Sequence, residues 1–351
     1  KISGANFSII KDLTIEDGGA IEDGKGEFGI YIINSFNTLV NSVHLFVDNS
    51  SSIMIVESNF TNITNNILVS LSNSIQLTAS SFSLLNNNTI INGLPFDDPA
   101  KNVRSIYLVS GSSFNSVSNN RIISFSPNGF GIQLQGVFHN IFSDNNVTTL
   151  GDSGDALRLT SSSTFNNTFK NMFLLTAGDN ANSLFVGSAD HTLILLDSIL
   201  FANSPASFDF EVGSFSNGGE WNFTNVSFSD KNWFAGANGS LNVHWYFETK
   251  VVDSLANPLQ DVSVSAINAF GNNVFSLITD TSGNIPKQTL LEYNQLNGAQ
   301  PVIFTDYILS YSRAGYISDT DPISLGMNRF IQKQLNVGSV PTVVIAAPSA
   351  Q

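Results

Sequence analysis

The chain has 351 residues and no cysteine, with 14 Lys and Arg against 28 Asp and Glu and a formal net charge of -14. Disulfides and thiolate-bound metals are thereby excluded, and nucleic acid and anionic membranes are not expected partners. Only 12% of residues are charged while Asn, Ser and Thr abound, a balance commoner outside cells than in cytosolic enzymes, and no apolar run is long enough to span a bilayer.

The chain begins at Lys1 rather than Met, as expected of a mature or excised piece of a longer product. KISGANF opens it, with Phe7 as the anchor of a first coil, and an acidic, Gly-rich loop follows from Ile15. Glu16, Asp17, Glu22 and Asp23 in that loop are candidate calcium ligands, because a hard cation prefers carboxylates and carbonyls. Their spacing does not fit the EF-hand pattern, and the alternative is a solvated loop.

From Gly29 onward a single pattern recurs, apolar-x-apolar, then Phe, then Asn. GIYIINSF, SIMIVESNF, SIQLTASSF, SIYLVSGSSF, GIQLQGVF, ALRLTSSSTF, SLFVGSADH and FDFEVGSF end at Phe36, Phe60, Phe82, Phe114, Phe138, Phe165, His191 and Phe215. The intervals are 24, 22, 32, 24, 27, 26 and 24 residues, too short for helix-strand pairs and diagnostic of a solenoid. An aliphatic residue stands three positions after five anchors (Leu39, Ile63, Leu85, Val117, Ile141), and Asn66, Asn88, Asn120 and Asn171 stand six after four of them. With equivalent residues one strand spacing apart, stacked Phe is expected to fill the interior and stacked Asn to hold a corner, since Asn tolerates left-handed backbone and its amide both donates and accepts. The fold class that satisfies this is all-β, a right-handed parallel β-helix. The long interval before Phe114 falls on GLPFDDPAKN, which is expected to protrude, with Asp97 and Asp98 as candidates for function at its tip.

NSVSNNRI, NIFSDNNV and NNTFKNMF, together with GIQLQG and ALRLTSS, resemble the coils of the pectin-lyase-like β-helix superfamily, most of all its NosD-type branch. The resemblance covers about residues 1–230 and implies fold rather than activity. Polygalacturonase and pectate lyase motifs are absent. Copper handling, which NosD-type proteins suggest, would call for clustered His, Met or Cys, whereas four His and three Met are scattered here. His191 reads as a substitution at a Phe corner.

After Phe228 the coil pattern stops, and a domain boundary is expected near Leu241. Residues 1–240 are assigned to the β-helix, 241–338 to a β-sandwich, and 339–351 to a strand or linker. In the second part, VVDSLANPLQDVSV and TDTSGN resemble carboxypeptidase-regulatory-like, transthyretin-like domains, with Val251, Asp253, Pro258, Leu259, Thr279, Asp280 and Gly283 as turn or core residues. Val343, Val344 and Ile345 form a short apolar strand with nothing left in the chain to pair with, so contact with another copy by strand addition is expected.

Side chains expected to point outward from the strand before each anchor include Tyr107, Gln133, Arg158, Asp209 and Glu211. Asp209 and Glu211, two apart on one strand, would suit an inverting pair of carboxylates. Ten N-x-Ser/Thr sequons occur, about what composition alone gives; Asn238, in a turn-like segment, is the best glycan acceptor, and those in the Asn ladder are expected to be partly buried. The function expected is that of an extracellular, cell-surface structural protein, a self-assembling subunit of a surface layer, filament or stalk. Other copies of itself are the expected partners, with surface polysaccharide as a further candidate, and no cofactor is expected, calcium being the one candidate. The alternative is a carbohydrate-binding or carbohydrate-cleaving module using the Tyr107, Gln133, Arg158 and Asp209 face.

Overall fold

The computed structural model of the chain describes residues 1–17, 28–47, 51–93, 102–161, 164–188, 192–215 and 217–338. Those residues are all-β, with no helix among them. The architecture is a right-handed parallel β-solenoid followed by a small antiparallel sheet. Contacts divide it into two units, Lys1–Asn242 with Gln295–Pro301, and Val243–Asn294 with Val302–Gln351.

Most coils of the solenoid make three short strands, as in Arg104–Val109, Ser116–Ser118 and Arg121–Ser124, while in the first two the second and third run together as Ser8–Asp17 and Thr38–Val47. The first strands of successive coils build a 10-stranded parallel sheet. Ile106 sits on Ile75 and under Ile132, and Leu108 on Leu77 and under Leu134, all fully buried. Side chains alternate across a strand, so these aliphatic residues fill the interior while Tyr107 and Val109 point outward. The last coils are filled instead by rings: Phe210 packs on Trp221 and Phe223 with centroids 5.8 and 5.2 Å apart.

The corners are held by side-chain amides in two ladders. Asn66, Asn88, Asn120 and Asn145 form the first, each Nδ2 donating to the next Oδ1 at 2.9 Å. Asn115, Asn140 and Asn167 form the second, with links of 3.0 Å. The two properties of Asn invoked from sequence are split between neighbours. Asn65, Asn87 and Asn119 take the left-handed backbone, with φ between 53 and 58°, while the residue after each is buried in the ladder. Asn171 belongs to the first group rather than the second: it is exposed with φ 50°, and Met172 occupies the ladder position beside it.

The Phe anchors are not interior, which corrects the expectation drawn from their period. Phe60, Phe82 and Phe114 are 48%, 50% and 51% exposed and stack on the outside of a corner, with centroids 5.2 and 5.3 Å apart and His139 next at 5.1 Å. Their own left-handed backbone turns the side chain away from the core. Phe138 precedes the left-handed residue, which here is His139, so the offset of three places Ile141 outside and Phe142 inside. Leu39 and Val40 are displaced in the same way: Leu39 lies beside Asn62, and Val40 is the buried partner of Ile63. Inside the solenoid the stacked pair is Phe142 and Phe169, 4.7 Å apart and fully buried.

In the second unit, strands Asn273–Ile278, Ser263–Ile267, Tyr307–Ser312 and Asp319–Ile323 pair antiparallel in that order. Phe247, Val251, Leu259, Val264, Tyr307 and Tyr311 are among the residues of its core. Asp253 Oδ1 accepts from the Leu255 and Asn257 amides at 2.8 and 2.9 Å, and Asp280 Oδ1 accepts from Ser282 and Asn284 at 2.8 and 3.0 Å. Gly283 is required where it stands: φ is 77°, and a Cβ there would lie 2.4 Å from the Val251 carbonyl oxygen.

Candidate functional site

The outer face of the ten-stranded sheet carries one side chain per coil in register: Gln76, Tyr107, Gln133, Arg158, Phe185, Glu211 and Asn232. Upstream the column is closed. Arg104 lies over the Tyr107 ring at 4.7 Å and its Nε donates to Gln133 Oε1 at 2.5 Å, while the Tyr107 hydroxyl donates to Gln135 Oε1. Burial lowers the Arg104 pKa and raises that of Tyr107.

Downstream the face opens into a groove of about 800 Å³, bounded by Arg158, Phe185, Glu211 and Asn232 and by amides and rings from the flanking corners, among them Asn180, Asn182, Phe208 and Phe234. It exists because side chains disappear. The outward position held by Gln135 and Thr160 becomes Gly187 and Gly213, and the Phe185 ring leans into that space, close enough that a Cβ on Gly187 would lie 2.6 Å from it.

Arg158 is held from three sides. Its guanidinium lies 4.7 Å from the Phe130 centroid and 4.3 Å from that of Phe185, and Nη1 donates to Asp155 Oδ2 at 2.6 Å. Asp155 Oδ1 accepts from the Asn182 backbone amide at 2.9 Å and from Asn182 Nδ2 at 3.2 Å. The same Nδ2 donates to Glu211 Oε2 at 2.5 Å, and Asn232 Nδ2 donates to Glu211 Oε1 at 2.9 Å. One amide therefore bridges two carboxylates, and an aromatic sandwich fixes the cation beside them.

Burial pushes the Asp155 carboxyl up to about 6, against the opposing pull of Arg158 and the Asn182 amide and with some help from the Glu211 charge. A carboxyl whose folded pKa is raised contributes stability that is complete below its unfolded value near 4 and is lost as pH rises through 6. The solenoid is thus expected to lose on the order of 3 kcal/mol from this group between those limits, measurable as a falling midpoint in urea titrations, with the slope abolished in Asp155→Asn.

Of the side chains expected on this face, Arg158 and Glu211 come together at the groove, and Tyr107 and Gln133 share their column outside it. Asp209 does not join them, which corrects the proposed pairing with Glu211. It precedes the strand Phe210–Phe215, where strand alternation does not reach, and it is 2% exposed. Its oxygens accept from the Ala202, Ser229 and Asp230 amides and the Ser229 hydroxyl, at 2.6, 2.7, 3.3 and 3.0 Å, so it pins a corner. Asp155 and Asn182 were not singled out from sequence because both lie ahead of the apolar-x-apolar pattern. The one signal available was Asp155 standing three residues before Arg158.

Among the other candidates, Glu16 is exposed in the strand Ser8–Asp17, which Asp17 ends. Glu22 and Asp23 lie outside the described residues, as do Asp97, Asp98, His191, Val343, Val344 and Ile345. Among the described residues, no group of three or more His, Asp or Glu side chains is placed to hold a metal ion. Asn238 is exposed at the start of a strand. None of the described sequon asparagines is a ladder residue, contrary to expectation: Asn59, Asn222 and Asn225 are half-buried and the others are exposed.

Fold and groove together define a parallel β-solenoid with an amide- and ring-lined groove on the outer face of one sheet. No family model matches the chain, and no curated protein matches it in sequence. Solved structures that resemble it include DFA-IIIase from Arthrobacter chlorophenolicus A6 in complex with GF2, at 13% identity and TM-score 0.45 over 67% of this chain. A mutant tailspike protein of E. coli bacteriophage HK620 in complex with a hexasaccharide resembles it at 9% identity and TM-score 0.42, over 83% of this chain and 69% of that one. The chain spans 64% of the DFA-IIIase chain.

Proposed function

We propose that the protein binds carbohydrate in the groove beside Arg158. The observation that carries this reading is the lining itself: the Asn180 and Asn232 amides and the Glu211 carboxylate beside the rings of Phe185, Phe208 and Phe234. Saccharides present dense hydroxyls on their edges and C–H faces above and below, and they are held by planar amide or carboxylate pairs together with aromatic rings. Binding rather than cleavage is proposed, because the Asp155 oxygens are already bonded by Arg158 and Asn182, and each Glu211 oxygen is bonded by an amide. Extracellular placement goes with this reading, supported by the low charge and hydroxyl-rich composition. The second unit is proposed to be an appended β-sandwich.

The test is equilibrium binding of the full chain to neutral and acidic oligosaccharides, with Gly213→Leu alongside. A Cβ at Gly213 would already lie 3.1 Å from Phe185 Cζ and 3.2 Å from the Gly187 carbonyl oxygen, so a leucine fills the floor of the groove. Affinity is expected to fall at least about tenfold, the scale of losing one well-placed contact set. Equal affinity in the variant would place any bound saccharide elsewhere.

A further inference from the structure

The charges around the groove decide which saccharides it admits, given that the groove beside Arg158 is the carbohydrate site, the reading on which this inference rests. Among the described residues, the lining holds three ionisable side chains, Asp155, Arg158 and Glu211. The Arg158 charge is neutralised at short range: Nη1 donates to Asp155 Oδ2 at 2.6 Å, and the Phe130 and Phe185 rings lie against the guanidinium. Glu211 has no such partner. It is 7% exposed, and the groups that bond it are the neutral amides of Asn182 and Asn232.

The rim adds to this excess of negative charge. Asp152 and Asp179 are exposed on successive turns, each one residue before a lining side chain, Ser153 or Asn180, and the Asp179 amide donates to Asp152 Oδ1 at 3.0 Å. The cations near by are engaged elsewhere. Arg104 lies upstream over the Tyr107 ring, with Nε on Gln133 and Nη1 on the Asn102 carbonyl. Lys231 precedes Asn232 and is in register with the inward Phe210, on the other side of the strand from the groove.

The hydrogen-bonding capacity that remains has the same sense. Each Glu211 oxygen accepts one amide and has a lone pair left, so it calls for a hydroxyl donor. A carboxylate or sulfate offers acceptors alone.

We infer that the groove selects neutral saccharides and excludes acidic ones. An anionic sugar would set its charge against a buried carboxylate that has no counter-ion, where the low local dielectric strengthens the repulsion. Arg158 serves a neutral sugar through its remaining N–H groups, as donors to hydroxyl oxygens, while its net charge is cancelled by Asp155.

The test uses matched pairs, neutral hexose oligosaccharides and their C6-oxidised uronic acid counterparts, titrated into the full chain well above pH 6, where Asp155 is ionised. The neutral member is expected to bind at least about tenfold more tightly, the low end for opposed like charges. Added salt is expected to narrow that gap by screening. Asp155→Asn is expected to narrow it as well, because one carboxylate is removed and the Arg158 guanidinium released, with circular dichroism to check that the variant is folded. Equal or tighter binding of the uronic acid overturns the inference and leaves carbohydrate binding in place. A gap that neither salt nor Asp155→Asn narrows also overturns it, since shape rather than charge would then select. Binding of neither member contradicts the carbohydrate reading itself, and the selectivity falls with it.

Discussion

Phe142→Ala is expected to destabilise the solenoid by about 3–5 kcal/mol, the usual cost of truncating a buried ring. Phe142 is fully buried and stacks on Phe169 with centroids 4.7 Å apart, and its coil neighbour on the other side, Val117, is also fully buried. Each coil is fixed by the ones above and below, so the neighbours cannot collapse into the space and most of it persists as a cavity. Phe114→Ala is the control. That ring is half exposed and loses only its stacking on Phe82 and His139, so about 1–2 kcal/mol is expected from two aromatic contacts. Urea midpoints of the two variants check the difference, and a larger loss for Phe114→Ala would return the Phe ladder to the interior.

Asn120→Leu is expected to cost about 4 kcal/mol or more, although it adds an apolar side chain to a buried site. Asn120 Nδ2 donates to the Leu85 carbonyl at 3.0 Å and to Asn145 Oδ1 at 2.9 Å, while its Oδ1 accepts from Asn88 N and Nδ2 at 3.0 and 2.9 Å. Leucine removes all four of these bonds: Asn145 Oδ1 keeps only the residue-120 backbone amide and Asn88 Nδ2 only the Ile63 carbonyl, while the Asn88 backbone amide loses its acceptor, and each lost bond costs about 1 kcal/mol or more. The left-handed neighbour behaves differently. Asn119 is exposed at φ 54°, and its side chain makes only a surface bond, Nδ2 to Asn86 Oδ1 at 2.9 Å, so Asn119→Gly is expected to cost little. Thermal unfolding of the two variants separates the ladder from the turn.

What the sequence made legible was the coil: its period, the inward Ile and Leu of the first sheet, and the buried Asn66, Asn88 and Asn120. These follow from strand alternation and from stacking at one strand spacing, which repeat in the chain as they do in space. The side of the corner on which Phe60, Phe82 and Phe114 fall was not legible, because it depends on a left-handed backbone at the Phe itself. Periodicity reports recurrence without direction. The site was half legible. Arg158 and Glu211 come from strand interiors, where alternation holds, whereas Asp155 and Asn182 come from corner segments and Asp209 sits one residue before its strand, where it does not. Gly187 and Gly213 make the groove by what they lack, and no chemistry-bearing residue type marks them.

The central claim is that the groove beside Arg158 receives a saccharide, and the most direct measurement is an array of neutral and acidic oligosaccharides probed with the full chain, with Arg158→Met and Glu211→Gln in parallel. Retention of at least one saccharide class is expected for the wild type and is expected to drop in both variants at a temperature where circular dichroism shows each still folded, since both substitutions remove a partner from a buried network and lower the melting temperature. No retention on any saccharide, or retention unchanged in both variants, would contradict the assignment.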